Sequence, residues 1–551
     1  MSTVAATVVA LVVLSAAGLV PVAVAVGPRW VAVPLAPLGG AVVAAVAATA
    51  SLSFGGALIA WFMGLAVATA VLAAVATART GARPWAVAWR DRGAWDRQRL
   101  VGLVGFGVVV AGCAWSLRGL RSPTVGFDAR ALWVMRPGWF LQSHGQLLVD
   151  MRTRGLVLTQ SAYPPLVSAV VAVAWQVTGV HTDRLGVTTV AVLNGCALAA
   201  AALAVVECGR IAAGRLVGPV GPGTDRAVGP GTDAVGPGTD AVGSGTDRAD
   251  GSGTDRADGS GGAPGPTPHP PWTPMVTGVA AAVLLVVVAA GVTEPFLTNG
   301  YADPIWSLAA VGAAAFGLQS AGDRSNRAAT VVLVLVAGLS KNEGLVTALA
   351  LVALVAARSI GIEGLRGGWR RWRWPLAVAV AEVVVLAWWP VLMHAVGARG
   401  ASSTFTTSNG TGARVTAVVH GMSPYLHVLV LALPLSVVGG LALTGVRRRT
   451  GTGNDLWAWL ALAVGLVAVG GALVTGTGAI VPWIRSTVHR ITEYPILQAW
   501  WIVAVWAVVA SSGIVAGRHP IDPAPAHAGL DPAETDDERD LASTTPVGAR
   551  A

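Results

Sequence analysis

The feature that most limits what this chain can fold into is its succession of long apolar runs. More than ten stretches of about 18–20 apolar residues recur along its 551 positions, and runs of that length read as membrane-spanning helices. Hydrophobic residues make up 54% of the chain and charged residues only 12%, against about 25% charged in a soluble domain. One compact aqueous core cannot hide that much apolar surface. A soluble enzyme is excluded. Cys113, Cys196 and Cys208 lie in or beside apolar runs with no CxxC and no His/Cys cluster. Neither a disulfide framework nor a zinc site is expected.

The formal net charge of +9 describes topology. Of 37 basic residues Lys341 is the single lysine; the rest are arginines in short patches between apolar runs. That is the pattern of cytoplasmic loops. No basic stripe interleaved with aromatics occurs, so no nucleic-acid partner is expected.

The patches order the runs. Residues 1–26 lack a basic leader and read as an anchor rather than a cleaved signal. Residues 30–78 hold two spans, the basic segment from Arg79 to Arg99 is cytoplasmic, 100–117 cross outward, and 118–162 form a polar outer loop. Apolar segments follow at 163–180, 185–207, 275–292, 304–321, 328–339, 342–357, 375–394, 424–445, 456–474 and 496–516. With Arg324/Arg327, Arg358 to Arg373, Arg447 to Arg449 and Arg518 inside, the loops at 294–303, 340–343, 394–423 and 475–495 fall outside. Two apolar segments separate the outer 118–162 loop from the inner 208–274 loop, one too many for simple alternation. The segment 163–180 opens with Pro164–Pro165 and carries Trp175 and Gln176. It is expected to re-enter or to lie in the interface.

The expected fold is therefore an all-α polytopic membrane bundle of about 13 helices, N-terminus outside and C-terminus inside, with juxtamembrane helices in its outer first loop. Five regions follow: N-terminal spans and a basic loop (1–99), a first core segment with the outer loop (100–216), a linker (217–274), a C-terminal core (275–516) and a tail (517–551). Within the linker, residues 217–262 repeat units such as VGPGTDRA and VGPGTDA without apolar periodicity. Such a segment cannot offset the entropy of ordering, so it and the tail are expected to be disordered. The unit lacks the GGxGxDxUx pattern of calcium-binding repeats. The alanine-rich, arginine-biased composition points to a bacterial plasma membrane.

Ionisable residues are costly in or beside apolar segments and so are informative there. Most fall at the outer helix ends: Asp128 in VGFDARALW, Tyr163 opening YPPL, Asp303 in NGYADPIW, Lys341 and Glu343 in GLSKNEGL, and Arg485, His489 and Arg490 in WIRSTVHRITEYP. A transporter is expected to place its charges near the midplane; charges at one surface favour an interfacial reaction on a lipid-attached substrate. Transfer from a lipid phosphate to a hydroxyl needs a carboxylate base and cations to stabilise the leaving phosphate. Asp128 and Asp303 with Lys341 and Arg490 supply that set. Trp133, Trp139 and Trp483 would stack on a sugar or anchor the interface. Plainer roles compete: Asp128 pairing with Arg130 or Arg136, Asp303 capping its helix, Lys341 pairing with Glu343, and Tyr163 anchoring the interface. Glu382 lies mid-span and pairs within the bundle or marks an ion path.

Four motifs in order, GFDARALW, SAYPPLVSAVVAVAW, GYADP and GLSKNEGLVTALAL, resemble the GT-C class of integral membrane glycosyltransferases. The resemblance is nearest to the family 39-like branch of protein mannosyltransferases and lipid A aminoarabinose transferases, and covers roughly residues 100–360. The protein mannosyltransferases carry an Asp-Glu pair in the first loop, where Ala129 here follows Asp128. The resemblance implies a polyprenyl-phosphate-linked sugar as donor, an inverting displacement, and an extracytoplasmic glycan, lipid or protein as acceptor. Asp128 would be the general base and Asp303 would orient donor or acceptor. Lys341 and Arg490 would hold the phosphate, with Tyr163 and Glu343 also lining the substrate site. No cofactor and no metal are implied.

Overall fold

The structure, a computed structural model, describes residues 1–26, 29–80, 97–121, 125–126, 129–152, 162–216, 272–294, 296–319, 324–363, 369–398, 411–423, 434, 455–475 and 487–518. The repeat at 217–262, the tail from 519, the segment 424–445 apart from residue 434, and Asp128, Trp483 and Arg485 lie outside these residues.

Among the described residues the chain forms helices and turns, with no strand. Helices α1 (Thr3–Val26), α2 (Ala32–Phe54) and α3 (Leu58–Thr80) open it, followed by α4 (Arg97–Ser116). Short elements come next: 3-10 turns at Leu117–Arg121 and Arg136–Leu141, a π-helical turn at Ala129–Val134, and α5 (His144–Arg152). The main body comprises α6 (Leu166–Thr178), α7 (Asp183–Leu216), α8 (Trp272–Thr293), α9 (Asp303–Gln319), α10 (Arg324–Ser340), α11 (Asn342–Glu363) and α12 (Trp369–Ala395). Helices α13 (Thr411–Met422), α14 (Asp455–Thr475) and α15 (Glu493–Arg518) complete it.

Ten described helices are long and apolar enough to cross a membrane, which makes this a multi-pass membrane protein. The described residues do not confirm the expected count of about 13. Helices α9 and α10 have 17 residues each, a rise of about 25 Å against a hydrocarbon core of about 30 Å. The segment 424–445 lies outside the described residues.

Helix α9 is the centre of the bundle, buried on every side from Asp303 to Leu318. Its sequence explains why it tolerates this. Alanines and glycines let neighbours close in, and Gly312 faces the backbone of Ala201 on α7. Between apolar helices in a membrane, such van der Waals packing supplies the attraction. The same device joins α1 to α2, where a Cβ on Gly40 would strike the Leu14 carbonyl and one on Gly18 the Ala36 carbonyl oxygen. Gly40→Ala is therefore expected to cost about 1–3 kcal/mol by forcing the pair apart. Gly64→Ala on α3, with nothing within 4 Å, should melt like the parent in detergent. Equal melting of the two variants would show the seam to be slack.

Helix α6 leaves one end of the molecule and returns to it. Tyr163, just before it, packs edge-on against Trp133 at 5.5 Å between ring centroids. Asp183, just after it, pairs with Arg130 at 3.0 Å. Trp133 and Arg130 share one six-residue turn, so both ends of the segment are held there. The reversal occurs at Gly179, whose φ of +67 closes α6 with a hydrogen bond to the Trp175 carbonyl. At 13 residues, α6 is shorter than the ten helices long enough to cross a membrane. The segment 163–180 is buried without interruption from Tyr163 to Trp175. At the opposite end of the bundle, Arg29 ties the α1–α2 turn to Glu207 on α7 at 2.9 Å and to Asn326 on α10 at 3.0 Å.

Candidate functional site

The end to which α6 returns gathers helix ends. The reversal from α8 into α9 is fixed by Asn194 of α7, whose amide donates to the Leu297 carbonyl at 3.0 Å, and by Gly300 at φ +87. Asp303 and Pro304 then open α9, where proline lacks only an N–H that would have no partner. Helix α10 ends at Ser340, α11 starts at Asn342, and the Lys341 between them is carried back over the start of α9.

The buried centre of the site is the Lys341 ammonium, which donates to Asp303 Oδ1 at 2.5 Å and lies 3.6 Å from Glu343 Oε1. Arg490 Nη1 approaches Asp303 Oδ2 at 4.0 Å, and its guanidinium sits 4.9 Å above the Tyr301 ring. Glu493 is fully buried and accepts a hydrogen bond from the Ser307 hydroxyl at 3.2 Å, leaving its Oε1 without a partner. Burial opposes the charge on Lys341, but Asp303 and Glu343 outweigh it and hold the ammonium above its usual pKa. Tyr163 brings its phenol within electrostatic reach of Glu343, Lys341, Asp303 and Arg490; burial first, then Glu343, pushes it above its ordinary value.

Five of the expected residues are therefore brought together: Tyr163, Asp303, Lys341, Glu343 and Arg490. His489 stands at the edge, its ring 5.1 Å from Phe296. Asp128 lies outside the described residues, but the chain on both sides of it is anchored here. Gly126 donates to the Asn299 carbonyl at 3.3 Å and lies against the Tyr301 ring, and Ala129 is buried beside Gly300. Arg130, one expected partner of Asp128, pairs with Asp183 at 3.0 Å. Trp133 and Trp139 are buried packing residues rather than an open stacking surface. Glu382 is remote from the cluster, on the wall of a cavity of about 230 Å³ lined by α10, α11 and α12.

Glu493, Ser307 and Tyr301 join the site although none was named as a candidate; Tyr301 and Glu493 lie inside the segments NGYADPIW and WIRSTVHRITEYP. Helical spacing contains the signal for two of them: Glu493 follows Arg490 by three residues, and Ser307 follows Asp303 by four. Among the described residues no group of three or more His, Cys, Asp or Glu side chains could hold a metal ion. The chemistry available is that of a buried ion-pair network: three carboxyl groups, two cations and a protonated phenol, all able to hold hydroxyl-bearing groups in fixed orientation.

No family model matches the chain, and no curated protein or solved structure matches it either.

Proposed function

We propose that the protein is a membrane glycosyltransferase that moves a sugar from a polyprenyl-phosphate carrier to an extracytoplasmic acceptor. The observation that carries this reading is the buried cluster of Asp303, Lys341, Glu343, Arg490 and Glu493 at one end of the bundle. Structural ion pairs rarely justify desolvating five ionisable groups at the tips of converging helices. The resemblance of the four motifs adds the GT-C fold, with about 13 spans, to the proposal.

In the proposed reaction the acceptor hydroxyl attacks the anomeric carbon. Its proton passes to a carboxylate, the bond from anomeric carbon to phosphate oxygen breaks, and the phosphate departs with the electron pair. Asp128 is the base by resemblance, in a segment whose neighbours Gly126 and Ala129 pack against Asn299 to Tyr301. Asp303, already bonded to Lys341, orients a sugar hydroxyl rather than taking the proton. Tyr163 and Glu343 belong to the same buried polar cluster. Lys341 and Arg490 offset the carboxyl groups and are the cations that the resemblance assigns to phosphate.

The test follows release of polyprenyl phosphate from labelled polyprenyl-phosphate sugars, with protein in lipid and an envelope acceptor. Asp128→Asn is expected to lower the rate by about a hundredfold to ten-thousandfold. Release at the parent rate would move the base elsewhere, with Asp303 next to test. If none of the donors releases polyprenyl phosphate, the reading fails.

A second reading, a transporter or flippase of a lipid-linked or small polar substrate, draws on Glu382. That carboxyl group faces a cavity whose other walls include Val331, Val334, Val352 and Val378. This reading predicts substrate movement across vesicles that Glu382→Gln abolishes and Asp128→Asn spares.

A further inference from the structure

The cations of the Asp303 cluster are already matched. Lys341 and Arg490 stand against Asp303, Glu343 and Glu493, two formal positive charges facing three carboxyl groups. A phosphate placed among them would compete for cations that Asp303 and Glu343 already hold. Arg136, at the head of the Arg136–Leu141 turn, has the opposite character. It is 0% exposed, and its one hydrogen bond runs from Nη2 to the Tyr163 carbonyl oxygen at 2.9 Å. Its Nε and Nη1 have no partner, and it forms no ion pair among the described residues.

A second donor waits beside it. Trp389 on α12 is 1% exposed, its ring centroid lies 6.0 Å from the guanidinium carbon, and its Nε1 is also without a partner. Three buried N–H groups on two side chains 6.0 Å apart thus have no acceptor. Native proteins seldom leave such donors unmet, and each that remains calls for a reason. Burial lowers the guanidinium pKa to about 9, so the group is still a cation at neutral pH.

We propose that Arg136 and Trp389 form an oxyanion subsite that takes the phosphate of a lipid-linked substrate. The lipid attachment rests on the glycosyltransferase reading; the anion chemistry rests on the side chains alone. The guanidinium fork matches two phosphate oxygens at once, and the indole N–H supplies a further donor. The rings of Trp139 and Trp389, each 6.0 Å from the guanidinium carbon, keep the surroundings apolar, which strengthens the attraction. Tyr163 links this subsite to the cluster: its carbonyl holds Arg136, while its phenol faces Glu343, Lys341 and Asp303. Because the guanidinium is fully covered, entry requires its cover to open.

The test measures binding without turnover. Full-length protein in phosphatidylcholine nanodiscs is titrated with a polyprenyl monophosphate, with the matching polyprenol, and with inorganic phosphate. The parent is expected to bind the polyprenyl monophosphate well above the polyprenol, and Arg136→Met to lose about tenfold or more of that affinity. Trp389→Phe is expected to lose part of it. Binding of inorganic phosphate that competes fully at low concentration would assign the site to the free ion and overturn the lipid assignment. Thermal melting without ligand separates binding from structure. Arg136→Met replaces an unpaired buried cation by an apolar chain of similar length and is expected to melt at or above the parent temperature. Parent-like affinity in Arg136→Met, or a marked fall in its melting temperature, overturns the subsite. Sugar transfer that fails while polyprenyl phosphate still binds through Arg136 overturns the glycosyltransferase reading alone.

Discussion

Lys341→Met is expected to lower thermal stability by about 3–5 kcal/mol and to abolish turnover, because it strands buried carboxyl groups without their closest cation. Asp303 then keeps only Arg490, at 4.0 Å, while Glu343 and Glu493 remain buried nearby. The measurement is thermal unfolding in detergent beside the release assay. A second change distinguishes stability from reaction. Asp303→Asn added to Lys341→Met removes the stranded charge and should recover much of the melting temperature, with no recovery of turnover. A single variant that melts like the parent would mean that the pair does not hold this end of the bundle together.

The second large effect is expected at Gly344, the glycine of the KNEG turn. A Cβ there would collide with the carbonyl oxygen of Ala337 and stand 3.0 Å from the Trp306 Cβ. The obstruction is mostly backbone of the preceding helix, so no side-chain rotation relieves it. Gly344→Ala should open the α10–α11 turn at a cost of about 1–3 kcal/mol. Lys341 and Glu343 ride on that turn, and a shift of roughly 1 Å in a reacting site lowers rates by about a hundredfold. Gly470→Ala on α14 has nothing within 4 Å and should leave both readouts at parent level or gain slightly in stability. If Gly344→Ala turns over like Gly470→Ala, the turn does not set the position of Lys341.

These cases show which parts of the molecule are legible in the amino-acid order. Apolar length marks most of the spans, because a helix facing lipid must be apolar along its whole run. It marks α9 and α10 less well: both lie largely inside protein, and α9 is buried on every side at 17 residues. The charges of Asp303, Lys341, Glu343 and Arg490 stand out against an apolar background, and loop parity assigns them to one end. Parity says nothing of distance. That Lys341 is bonded to Asp303 depends on how α10 and α11 fold back over α9. Arg136 is the clearest case of what composition hides. In the sequence it is one more arginine of a polar loop, and only the packing of its turn against Tyr163 and Trp389 reveals a buried cation.

The short, buried α6 also constrains the order in which the chain assembles. Thirteen residues are too few to be held across a bilayer as an independent span, and its cover comes from α1 and α2 before it and from α7 after it. Synthesis therefore delivers α6 before one of the walls that buries it exists. It can settle only once α7 has been threaded, and Tyr163 and the Arg136 turn settle with it. The N-terminal pair, bound through its glycine seam, then acts as a waiting cradle, and this end of the protein matures after the surrounding helices are already in the membrane.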